Sequence, residues 1–154
     1  VTAQDTRCTL KISFFIINFM NPVVHFEMPY QDKGRMTEFY SKAFGWQAET
    51  MSPDMGDYVV MTTSEMDPAT RMPKKPGMIN GGFYKKNDGS QGLSFVVAVD
   101  DIQAAMKNVE AAGGKIVGGM KQPGQPDEIP GVGLFISFTD PEGNRLSLLQ
   151  PKGM

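Results

Sequence analysis

The stretch that decides the fold is VVHFEMPYQDKGRMTEFYSKAFGW, residues 23–46. Val23 to Met28 is an extended run of β-branched and aromatic residues, followed by a helical pattern. Met36, Phe39, Tyr40, Ala43 and Phe44 recur at three- and four-residue intervals, with Asp32 placed to cap the helix and Gly45 to stop it. Two strands are predicted next, at Trp46–Met51 and Asp57–Thr63. A loop-like stretch at Thr62–Lys75 follows, and Pro68, Pro73 and Pro76 break regular structure there. Another strand is predicted at Met78–Tyr84.

The same order returns after the turn Lys86-Asn87-Asp88-Gly89. Leu93–Val99 reads as a strand, and Ile102, Ala105, Met106 and Val109 form a helical stripe ended by Gly113-Gly114. Strands follow at Lys115–Gly118, Gly131–Phe138 and Asn144–Leu149. Val24–Met28 corresponds to Phe95–Val99, Arg35–Phe44 to Gln103–Ala112, and Tyr58–Met61 to Leu134–Ser137. Neither half has enough apolar surface to form a comfortable domain alone. The expected fold is therefore α+β: paired βαβββ modules, 22–87 and 88–151, forming a curved, partly closed mixed sheet with outer helices. Residues 22–154 make the domain, and 1–21 an N-terminal appendage that packs on a neighbouring subunit or covers local surface.

Composition narrows the function classes. The chain has 154 residues, 40% of them apolar and 21% charged, enough for a packed core. Its 15 basic and 17 acidic residues are dispersed, so nucleic acid is not an expected partner. The apolar run Ile12–Met20 is too short to span a bilayer, and no membrane partner is expected. A single cysteine, Cys8, excludes an internal disulfide and fits a reducing, cytoplasmic setting.

His25 and Glu27 lie two apart on the first strand and share a face. They suit either an acid–base pair or a hydrogen bond that satisfies two polar groups. Tyr58, Phe83, Phe95, Phe135 and Trp46 suit a pocket lining or the packing beneath the helices. The segment Met120–Gly133 reads as a lid or a long hairpin connection, with Asp127-Glu128 at its tip.

The first segment, with Val99-Asp100-Asp101-Ile102, Ala111-Ala112-Gly113-Gly114 and Asp140-Pro141-Glu142-Gly143-Asn144, resembles the vicinal oxygen chelate superfamily. That group comprises glyoxalases, bleomycin-resistance proteins and extradiol dioxygenases. The resemblance implies a homodimer with a concave, β-lined cavity for a small organic molecule. In metal-dependent members, histidine, glutamine or glutamate at inward positions of the first and last strands hold an ion. Here those positions fall at His25, at Ser94 or the preceding Leu93, and at Ser147, with Asn80 near the remaining one. One histidine and two hydroxyls make a poor cage, so no metal ligands and no cofactor are expected and a divalent ion is disfavoured.

The expectation is therefore metal-independent binding, with Tyr58, Asn80, Phe83, Ser94, Phe135 and Ser147 contacting the ligand. Two alternatives stand beside it. One is a divergent lyase or isomerase with His25 and Glu27 as catalytic proton-transfer groups; the other is a structural or regulatory homodimer.

Overall fold

The computed structural model describes residues 20–87 and 92–153. Its first half runs β1 (Val23–Tyr30), α1 (Lys33–Phe44), β2 (Gln47–Thr50), β3 (Val59–Thr62) and β4 (Asn80–Lys85). A 3-10 turn at Pro53–Met55 joins β2 to β3. The second half runs β5 (Ser94–Ala98), α2 (Ile102–Ala111), β6 (Lys115–Gly118), β7 (Asp127–Ile129), β8 (Gly133–Thr139) and β9 (Arg145–Pro151). The appendage expected at 1–21 falls outside the described residues except at its end, as does the Asp88-Gly89 part of the predicted turn.

The helices start and stop for the reasons their sequences suggest. Asp32 accepts the Arg35 amide at 2.9 Å, and Gly45 ends α1 in the left-handed conformation. Asp101 caps α2 twice, accepting from the amides of Gln103 and Ala104 at 2.9 and 3.0 Å. Among the described residues no helix is long and apolar enough to cross a membrane.

The strands form one sheet in the order β2-β3-β4-β1-β5-β9-β8-β6, and β7 also pairs with β8. In each half the first strand lies parallel to the last, β1 to β4 and β5 to β9. The halves meet where β1 runs antiparallel to β5. The sheet is mixed and does not close into a ring.

Alternation sends one side of every strand under a helix. Phe26, Tyr30, Val59, Met61 and Phe83 pack beneath α1 with Met36, Tyr40 and Trp46. Val99, Ile136 and Leu148 pack beneath α2 with its Ile102 and Ala105. The opposite face carries no helix, yet Val96, Ser137 and Ser147 on it are buried. The curved sheet shields its own helix-free side.

Two expectations need correction. The polar three-residue strand β7 was not foreseen, and it makes Asp127 a buried residue rather than a charge at a loop tip. The Asp127 carboxylate accepts the amides of Met120 and Lys121 and folds the preceding loop back on itself. The correspondence of β1 with Phe95–Val99 is also displaced. Counted back equally from the N-caps Asp32 and Asp101, His25 matches Ser94 and Phe26 matches Phe95.

Candidate functional site

Because Phe26 and Tyr30 point into the core, His25 and Glu27 project from the helix-free face. In register, His25 sits between Asn80 of β4 and Val96 of β5, and Glu27 between Gly82 and Ser94. Tyr58 immediately precedes β3. Its neighbour Val59 is fully buried beneath α1, so Tyr58 turns to the other side. Its hydroxyl lies 2.8 Å from His25 Nε2 and over Gly82, the residue in register with Glu27, so that the phenol and the Glu27 carboxyl shift each other's protonation.

The tyrosine ring reaches this position only because β4 is bare beneath it. A Cβ on Gly82 would lie 1.9 Å from the Tyr58 hydroxyl oxygen. On the other side of the strand, the Phe26 ring covers Gly81 in the same way, at 2.3 Å. The two glycines seat one aromatic ring on each face of the sheet.

Burial dominates the electrostatics. It pushes the His25 imidazole down to about 4, so the ring is neutral at pH 7. Burial also raises the Glu27 carboxyl, opposed by the Tyr58 hydrogen bond and the charge of Arg145. The Tyr58 phenol is raised by burial and by the neighbouring Glu27. Arg145 opens β9 and is held beside Ser94, whose hydroxyl donates to the Arg145 carbonyl at 3.1 Å.

A stability effect follows from the histidine. Its folded value of about 4 lies below the ordinary 6.5, so the unfolded chain binds more protons between those limits. Stability is therefore fully retained above pH 6.5 and declines as pH falls toward 4. Glu27, raised in the folded state, acts in the opposite direction. Urea midpoints at pH 7 and 4.5 should show a smaller acid loss in His25→Gln than in the wild type. Equal losses would contradict the buried neutral imidazole.

The other expected residues divide. Phe135 alternates with Leu134 and Ile136, which pack toward α2, and so lies half-buried on the helix-free face. Ser94 and Ser147 share that face, and Ser147 is buried with its hydroxyl 3.4 Å from that of Ser137. Asn80 is adjacent but engaged: its Oδ1 accepts the Thr63 amide at 2.8 Å and the Ser64 amide at 3.2 Å. Phe83 was expected to contact the ligand; instead it is fully buried beneath α1, on the wrong side of the sheet. Trp46 likewise belongs to that core. Arg145 and Ser137 complete the site without having been singled out. Two shallow depressions flank α1, around Arg35 and Phe39, and none of the expected site residues lines them.

The donor set does not fit the ion that metal-dependent relatives hold. Of the four corresponding positions only His25 is a strong ligand, and its Nε2 is taken by Tyr58. Asn80, Ser94 and Ser147 are each engaged within the protein. Among the described residues no cluster of three His, Cys, Asp or Glu is placed to grip a metal.

Paired βαβββ halves with a polar cluster on the helix-free face define a glyoxalase-type protein. Residues 23–148 match the model of the Glyoxalase/Bleomycin resistance protein/Dioxygenase superfamily, and the chain belongs to that family. Among solved structures it is similar to a methylmalonyl-CoA epimerase at 18% identity and a TM-score of 0.59, covering 84% of this chain and 94% of that one. It is similar to a superfamily member from Vibrio splendidus 12B01 at 16% identity and 0.54, covering 85% and 99%. A Streptomyces coelicolor methylmalonyl-CoA epimerase in complex with 2-nitronate-propionyl-CoA aligns at 12% identity and 0.62, covering 87% and 96%. At these identities the likeness is one of fold. No curated protein matches the sequence.

Proposed function

We propose that the helix-free face binds a small organic molecule without a metal ion. The observation that supports this most is the chain His25–Tyr58–Glu27, with Arg145 acting on its far end. Three ionisable side chains converge on a largely buried surface where stability alone favours apolar residues. The engaged donor set described above supports the metal-free part of the reading. Its test uses a panel of 2-hydroxy acids, 2-oxo acids and methylmalonyl-CoA, titrated into EDTA-treated protein by calorimetry. At least one compound should bind saturably, and at least tenfold more weakly to His25→Ala. Binding that appears only after a divalent ion is added would overturn the proposal, as would no binding by any member.

A second reading is favoured by the buried carboxyl beside the imidazole. Burial raises Glu27 and so strengthens it as a base for proton abstraction beside a carbonyl, with the neutral His25 imidazole as its hydrogen-bonding partner at the site. The same panel incubated in deuterium oxide separates the two readings. Deuterium at the carbon next to the carbonyl, lost in His25→Ala and Glu27→Ala, marks catalysis; saturable binding without exchange marks a binding protein.

A further inference from the structure

We infer that Tyr58 is the positioning residue of this site, holding the His25 imidazole as its Nε2–H tautomer so that Nδ1 presents a lone pair to the ligand. The tyrosine has one hydroxyl hydrogen and two neighbours. A carboxylate only accepts, and a hydrogen bond to a charged acceptor is the stronger one. The hydrogen therefore goes to Glu27, and the hydroxyl oxygen accepts from His25 Nε2 across the 2.8 Å separation. A neutral imidazole carries a single ring hydrogen, so Nδ1 is left as an acceptor. That nitrogen has no hydrogen-bond partner among the described residues and is not sealed from solvent.

The surrounding backbone holds Tyr58 for this task. Its carbonyl accepts the Met51 amide at 2.8 Å, tying the residue to the end of β2. Gly56 and Asp57, both in the left-handed region, swing the chain out of the 3-10 turn and into β3. Gly82 supplies the flat seat beneath the ring. Resting on the proposal that this face is the binding surface, the inference names a ligand class. The bound molecule offers an O–H or N–H donor to His25, as a hydroxy acid, an enol or an amide does.

His25 is the only histidine, so nitrogen-15 spectra of the labelled, tag-free protein at pH 8 report on it alone. No ligand is added, which separates this test from that of the binding proposal. The wild type should show one Nε2–H tautomer with a ring proton slow enough to observe. Tyr58→Phe should lose that proton signal, and Gly82→Ala should lose it too by driving the ring off its seat. In Glu27→Ala the hydroxyl hydrogen has no carboxylate to serve and should turn to Nε2, switching the imidazole to Nδ1–H. An Nδ1–H imidazole in the wild type would overturn the inference, as would an unchanged ring-proton signal in Tyr58→Phe. If Gly82→Ala does not fold, the two remaining variants decide the matter.

Discussion

Gly133→Ala should destabilise the protein by about 3 kcal/mol or more, combining backbone strain with an overpacking clash. Gly133 opens β8 at φ +143°, a conformation side chains rarely adopt. A Cβ there would also lie 2.0 Å from the Gln150 carbonyl oxygen and 3.0 Å from the Lys152 amide nitrogen. Both obstacles are backbone atoms in or just beyond β9, so no rotamer change relieves them. Gly131→Ala is the matched control: φ is +75°, and nothing lies within 4 Å of the added carbon. That variant carries strain alone and should cost about 1 kcal/mol. Urea unfolding of the pair separates the clash from the strain. Equal midpoints would show that β9 yields, and the account of this junction would fail.

Phe83→Ala is the second large effect, expected at about 3–5 kcal/mol for a fully buried aromatic side chain. In a chain of this length each kcal/mol shifts Tm by roughly 2–4 °C, so melting should fall by about 10 °C. Phe135→Ala, half-buried on the opposite face, should cost about 1 kcal/mol and weaken ligand binding instead. Sequence reasoning treats these two phenylalanines alike. Thermal melts together with the binding titration tell them apart, and a reversed order of stability would place the core on the wrong side of β4.

Much of the architecture was legible because local and global signals agree. Asp32 with Gly45, and Asp101 with Gly113, bracket helices whose apolar stripes match the faces they cover. The period of two along β1 is enough to put His25 and Glu27 on one face. The same rule gave no help on β4, where Gly81 and Gly82 have no side chains to show which way the strand points. Phe83 was misplaced for that reason. β7 was hidden because Asp127-Glu128-Ile129 is short, polar and set among prolines, and its pairing depends on β8 rather than on its own residues. The match of Tyr58 to His25 spans 33 residues, a distance over which one sequence carries no pairing signal. Arg145 escaped notice because a lone cation after a turn reads as solvated surface.

Unequal helix packing has a further consequence. α1 has no fully buried residue and leaves Phe39 and Phe44 more than half exposed, whereas α2 sinks Ile102 and Ala105 and ties its first amide to Gln150. Amide-proton protection should therefore run lower in the half that carries His25, Glu27 and Tyr58, and hydrogen exchange should show this half opening before its twin. The His25–Tyr58 contact lies on the looser repeat and rigidity on the tighter one, so the two halves share a backbone pattern but not a packing.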